Sequence, residues 1–196
     1  MTARDQVLAS VRRALAEAPS APVASRAYRD QPTPDGDLVA LFAQRVSDYK
    51  ATVVRCGPDE VAAAVAAALD GARPVVPDGL PWPMEGAIPD TGQVSSELDV
   101  AEAVVTTATV GIAVTGTIVL DHGPGQGRRA LSLVPDLHVC VIRTDQIVRG
   151  VPDAIALLDP ARPQTWISGP SATSDIELNR VEGVHGPRTL RVVVVD

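Results

Sequence analysis

Residues 2–17 carry apolar side chains at helical spacing, with Val7, Leu8, Val11 and Leu15 on one face. Thr2 and Asp5 have the form of a capping box, and Pro19 stops the segment. Residues 18–36 are rich in Pro, Ala and Ser and read as an extended linker. The helical period returns from Asp37 to Tyr49, where Leu38, Leu41, Phe42 and Val46 share a face. A short strand is expected from Ala51 to Arg55. Pro58 then opens an alanine-rich helix over 58–70, which Gly71 ends before a strand from Pro74 to Pro77. This β-α-β alternation implies a parallel crossover sheet. Residues 78–96, rich in Pro and Gly, read as a surface loop.

From Val100 the pattern becomes strand-like. Val104-Val105, Val110 to Leu120 and Leu137 to Ile142 read as strands, and Gln164 to Ile167 and Leu190 to Val195 as the last two. Asp145 to Val148 and Pro152 to Leu158 read as short helices. Val192 to Val195 is apolar on both faces, which predicts a central, buried strand. The expected organisation is a helical arm and linker over 1–36 followed by an α/β domain over 37–196.

The chain has 196 residues, enough for one domain with a substantial core. Only 3% of them are aromatic, so that core must rest on Val, Leu, Ile and Ala. A net charge of −7, with no basic stripe interleaved with aromatics, argues against a nucleic-acid partner. Two distant cysteines, Cys56 and Cys140, fit a reduced, cytoplasmic protein and cannot supply the four thiolates of an iron–sulfur cluster. The first residues include Arg4 and Asp5 and lack the apolar core of a signal peptide. The longest apolar stretch, Val104 to Leu120, is broken by threonines and glycines, so no membrane span is expected.

Candidate chemistry lies in four small-residue loops, which bring backbone N–H groups and hydroxyls close to a bound anion. Thr115-Gly116-Thr117 sits in a β-rich run, where a glycine marks either a bulge or a close approach to a ligand. Gly123-Pro124-Gly125-Gln126-Gly127-Arg128-Arg129 matches neither the P-loop nor the dinucleotide fingerprint. Its arginines either clamp a carboxylate or phosphate or stand solvated on a turn. Ser168-Gly169-Pro170-Ser171-Ala172-Thr173-Ser174-Asp175 follows a strand end, as ligand loops do in open α/β sheets, or else caps a helix. In Glu182-Gly183-Val184-His185-Gly186-Pro187-Arg188, His185 is either an acid–base group or a loop histidine bonded to backbone. Glu177 and Glu182 are either paired carboxylates or one polar face. His122, Glu182 and His185 fit no zinc spacing. His138 and Cys140 lie in an apolar strand and read as core residues. No serine-nucleophile elbow is present.

Longer strings carry a resemblance. TGTIVLDHGPGQGRRALSLVPDLHVCVIRTDQIV and WISGPSATSDIELNRVEGVHGPRTL resemble the LUD-domain family of lactate-utilisation proteins. ARDQVLASVRRALAEAP and FAQRVSDYKATV do so too, extending the similarity over nearly the whole chain. The resemblance implies a three-layer α/β/α fold with a mostly parallel mixed sheet, shared with phosphosugar isomerases and CoA transferases, plus an N-terminal helical arm. It implies a bacterial, cytoplasmic protein that serves oxidation of L-lactate to pyruvate beside two iron–sulfur partner proteins, with no cofactor of its own. The family's loops map onto Thr115, Gly116 and Thr117, onto Gly125, Gln126, Gly127, Arg128 and Arg129, onto Ser168, Gly169, Pro170, Ser171, Thr173 and Asp175, and onto Glu177, Glu182, His185 and Arg188. The ligand these would bind is a small anion such as lactate or pyruvate, its carboxylate held by Arg128, Arg129 and Arg188. Val114 stands where many relatives carry an acid, which excludes a covalent carboxylate mechanism at that position. Two alternatives remain: a stand-alone enzyme or binder for a phosphorylated or CoA-linked molecule, and a structural module that organises partners through the 2–17 helix.

Overall fold

A computed structural model of the chain describes residues 2–16, 36–173, 181–182 and 185–196. The chain divides into two compact units, 1–35 and 36–196. In the first, helix α1 (Ala3–Ala16) begins at a reciprocal cap. The Thr2 backbone N–H donates to Asp5 at 2.9 Å, and the Asp5 N–H returns to the Thr2 hydroxyl at 3.3 Å.

The second unit opens with helix α2 (Leu38–Asp48), whose first turn is capped by the Asp37 carboxylate accepting from Val39 and Ala40 N–H. Strand β1 (Thr52–Cys56) leads through a 3-10 turn at Pro58–Glu60 into helix α3 (Val61–Leu69). Next come β2 (Pro74–Val76), β3 (Ile88–Pro89), α4 (Ser95–Leu98) and β4 (Ala103–Thr107). The antiparallel pair β5 (Val110–Ile112) and β6 (Thr117–Leu120) follows, then a 3-10 turn at Arg129–Ser132 and the long strand β7 (Leu137–Arg143). The chain ends with β8 (Ile147–Val148), α5 (Val151–Leu157), β9 (Thr165–Ile167), the short pair β10 (Ala172–Thr173) and β11 (Val181–Glu182), and β12 (Thr189–Val195).

The architecture is α/β with a mostly parallel sheet, as expected. Six strands in the order β1-β12-β7-β4-β2-β3 are all parallel. The valine run of β12 lies inside this sheet, between β1 and β7, because both of its faces must be covered. Val193 and Val195 pack with Val139 and Val141 of β7 and with Val61, Val65 and Leu69 of α3. Val192 and Val194 turn to the other face, where Cys140 and Ile142 meet Phe42 and Val46 of α2. A second sheet, β8-β5-β6-β9, packs on that face through Ile118 and Leu120. Its outer side is covered by Ala154 of α5 and by Leu158.

Three segments depart from the sequence reading. The loop over 78–96 contains β3 and the start of α4, anchored by the fully buried Leu98. The run from 145 to 148 is a 3-10 turn ending in β8, because Ile147 is buried and pairs with Gly111 of β5 instead of continuing a helix. The apolar stretch 104–120 is shared between two sheets, β4 in the parallel one and β5–β6 in the other.

Candidate functional site

A cavity of about 260 Å³ lies at the amino ends of β7 and β12. His138 and Leu190, register partners on those strands, form its floor. One wall is the 3-10 turn carrying Arg129 and Ser132, a second the exit of β9 through Ser168 to Ser171, and a third the loop His185–Pro187. The last two are laced together. Ser171 N–H donates to the Pro187 carbonyl at 2.8 Å, and His185 N–H donates to the Ser171 hydroxyl at 3.0 Å.

Arg129 is the cation of this cavity. Its Nη1 donates to Thr165 Oγ1 at 2.9 Å, and no carboxylate pairs with it among the described residues. Thr165 is in turn bonded to His122 Nε2 at 2.9 Å, while His122 Nδ1 lies 2.7 Å from the Gly127 carbonyl. A carbonyl only accepts, so Nδ1 bears a proton and donates to Gly127. Thr165 Oγ1 accepts from Arg129 and shares its other bond with His122 Nε2.

Beneath it, His138 is 1% exposed, with Nε2 2.8 Å from Thr106 Oγ1. Thr106 also donates to Cys140 Sγ at 3.7 Å. Burial pushes the His138 pKa down to about 4 and the Cys140 thiol up to about 12, so both are neutral at ordinary pH. A relay of hydroxyls stands behind the β9 wall: Thr115 to Thr117 at 2.7 Å and Thr117 to Ser168 at 2.8 Å.

The structure therefore brings Arg129, Ser168, Gly169, Pro170, Ser171 and His185 together around one space. Thr115 and Thr117 reach it only through Ser168. Gly116, at φ 59°, closes the β5–β6 turn against α2: a side chain there would stand 2.6 Å from the Arg45 carbonyl carbon. Gly169, at φ 82°, is held by the same helix end, where an added Cβ would run into Tyr49 Cβ. The close approaches of these two glycines are to protein.

Gly125, Gln126, Gly127 and Arg128 lie away from the cavity. Gln126 is buried and braces its own loop, accepting from Asp121 N–H at 2.7 Å and donating to Thr109 at 2.8 Å. Arg128 straddles the Asp90 carboxylate at 3.0 and 3.1 Å and donates to the Gln93 carbonyl at 2.6 Å. Arg188 pairs with Asp136 at 2.7 Å on the surface. The three arginines expected to share one carboxylate are thus separated. Thr173 and Glu182 belong to the β10–β11 pair, and Asp175 and Glu177 lie outside the described residues. Sequence reasoning missed His138, Thr165, Ser132 and His122. The available signal was His138 itself, since an ionisable ring in a buried strand demands a partner.

A larger cavity, of about 460 Å³, lies at the carboxyl ends of β4 and β7 beside Trp82. Its charges are mutually neutralised, Asp121 by Arg162 at 2.9 Å and Arg143 by Asp145 at 2.9 Å. The smaller cavity, whose cation has no carboxylate partner among the described residues, is the better anion site. Among the described residues no three His, Cys, Asp or Glu side chains gather as a metal site, and no helix is long and apolar enough to cross a membrane.

Comparison with known proteins adds an independent line. A family model described as LUD domain matches residues 37–195. "Lactate utilization protein C" of Deinococcus radiodurans is 46% identical over 98% of this chain and 95% of that protein. A protein of the same name from a Geobacillus species is 32% identical, the match covering 58% of this chain and 53% of the relative. The crystal structure of a DUF162 family protein from Deinococcus radiodurans superposes with a TM-score of 0.69 at 39% identity, covering 81% of this chain and 96% of that one.

Proposed function

This chain belongs to the LUD domain family, and we propose that it serves lactate utilisation by holding a small carboxylate anion, such as lactate or pyruvate, in the cavity that Arg129 borders. The observation that carries the reading is a guanidinium with no carboxylate partner among the described residues. Arg128 and Arg188 spend their charge on Asp90 and Asp136, whereas Arg129 gives one N–H to a threonine and keeps the rest. A guanidinium with donors to spare is the natural bidentate partner of a carboxylate. The names of the relatives supply the metabolic setting. The cavity volume falls below the roughly 300–1,000 Å³ of clefts that take drug-sized ligands, which favours a three-carbon acid over a CoA ester.

Oxidation itself falls to iron–sulfur partner proteins. Cys56 and Cys140 are both buried, in two different apolar clusters, and two thiols are short of the four that a cluster takes.

Isothermal titration of the purified chain with L-lactate, pyruvate, inorganic phosphate and CoA tests the proposal. Binding of the carboxylic acids, lost in Arg129→Gln and kept in Arg188→Gln, is the expected result. Binding of phosphate or CoA in place of the acids, or undiminished binding to Arg129→Gln, overturns it.

A further inference from the structure

We infer that His138 is a specificity residue of this cavity, accepting at Nδ1 the hydroxyl of a 2-hydroxy acid whose carboxylate lies on Arg129. The inference rests on the anion reading above and adds the substrate class. We assign the tautomer from the bonds on the far side of the ring. Cys140 Sγ lies 4.0 Å from the Thr107 carbonyl, towards which its S–H can point. Thr106 donates to Cys140 Sγ at 3.7 Å. In the tautomer assigned, the Thr106 oxygen accepts from His138 Nε2, 2.8 Å away, so the imidazole proton is on Nε2 and Nδ1 is a bare acceptor.

Nδ1 has no partner among the described residues, although the ring is buried and lines the cavity. Thr106, which takes Nε2, lies on β4 and is not part of the lining. Leu190, on the opposite neighbour β12, is. A buried acceptor with no donor costs free energy until something supplies one. None of the hydrogen bonds made by the described lining side chains reaches Nδ1: Arg129 Nη1 donates to Thr165 and Ser132 donates to the Arg129 carbonyl at 3.1 Å, so a ligand can bring the donor. A 2-hydroxy acid offers both complements, a carboxylate for Arg129 and an O–H for Nδ1. A 2-oxo acid offers an acceptor to an acceptor, and an unsubstituted acid offers nothing at that carbon. The protein thus distinguishes the reduced from the oxidised member of a hydroxy-acid/oxo-acid pair with a single tautomer.

The test is a competition among L-lactate, pyruvate and propionate for wild-type protein and two variants, read by isothermal titration. Gln places its amide where imidazole Nε2 stands, so His138→Gln keeps the bond to Thr106 and loses the Nδ1 acceptor. Asn places a carbonyl where Nδ1 stands, so His138→Asn keeps the acceptor. Wild type and His138→Asn should prefer lactate over propionate by about three- to tenfold, the worth of one neutral hydrogen bond, and His138→Gln should bind the three acids alike. Equal binding of lactate and propionate by wild type, or a lactate preference that survives in His138→Gln, overturns the role of His138 and leaves the anion reading standing. A preference for pyruvate places the proton on Nδ1 and overturns it as well. Failure of all three acids to bind overturns both.

Discussion

Acidification separates the folded and unfolded chains at His138. His138 has an ordinary value of 6.5 when unfolded and is pushed down to about 4 by burial in the native core. Below pH 6.5 the unfolded chain takes up a proton there that the folded chain refuses. The unfolded state therefore binds more protons across this window, and stability must rise with pH through it. Read downward, the native-state contribution is complete above 6.5, falls as the pH drops, and is fully lost once the pH passes through about 4. At about 1.36 kcal/mol per pH unit of separation, the loss is about 3 kcal/mol. That is large beside the roughly 5–15 kcal/mol holding an ordinary domain together. The assay is urea unfolding at a series of pH values, followed by Trp82 and Trp166 fluorescence, for wild type and His138→Gln. Carboxylates titrate in both proteins, so the difference between the two curves isolates the imidazole. Wild type should lose about 3 kcal/mol more than the variant between neutrality and about pH 4. Parallel curves would refute the claim that this ring is buried and neutral.

Three further outcomes follow from the same geometry. Gly169→Ala forces a side chain onto Tyr49 at a φ that disfavours one, so it should cost at least about 1–3 kcal/mol and lower the melting temperature by about 2–4 °C per kcal/mol; an unchanged melt would show that the loop is free of α2. Arg128→Ala frees Asp90 and the Gln93 carbonyl and should cost about 1–2 kcal/mol in chemical unfolding with anion affinity unchanged, whereas a loss of affinity would return Arg128 to the site. Thr165→Val keeps the shape but removes the oxygen between Arg129 and His122. It should cost about 1–2 kcal/mol and weaken carboxylate binding severalfold, and intact binding would mean Arg129 is positioned without Thr165.

The parts of this fold that could be read from the sequence are those where one face or one residue settles the matter. Leu38, Phe42 and Val46 can share only a helix face, Asp37 is a good first cap, and four consecutive valines can satisfy both sides only in mid-sheet. What failed depended on distant neighbours. Ile147 becomes a strand because β5 lies alongside, and Leu98 ends a buried turn because Val75 receives it; neither partner is close in sequence. The site was legible in the same uneven way. Ser168 to Ser171 and His185 stood out as small-residue loops and do meet. Arg128 and Arg129 look alike in the chain, and only the position of Asp90 shows which of them is spent. His138 reads as a core residue because an apolar strand surrounds it, and it is buried; its second character depends on loops that fold over the strand's beginning.

The position of the cavity explains why the glycine loop misled. In open parallel sheets ligands gather beyond the carboxyl ends of the strands. In this protein the glycine loop borders that end but is bonded into the protein, beside a cavity whose charges are already paired. Gly125 N–H donates to the Asp78 carbonyl at 2.8 Å, the Gly125 carbonyl accepts from Thr107 N–H at 2.8 Å, and Gln126 and Arg162 both bond to Asp121. Within the loop, Gly123 N–H donates to the Asp121 carboxylate at 3.1 Å and Gln126 N–H to the Gly123 carbonyl at 3.0 Å, so these groups face protein. The second sheet moves the opportunity to the other end: β9 runs antiparallel to β6 and delivers Ser168 beside the start of β12, while the turn before β7 raises Arg129 opposite. Recognition then depends on which donors and acceptors the fold leaves unspent. Among the described residues these include the Arg129 guanidinium and His138 Nδ1, and each is held from behind by a threonine, Thr165 and Thr106. Two threonines, each already bonded to a histidine, therefore set the orientation of both groups that a ligand would meet, and the glycines govern only how closely the walls approach α2.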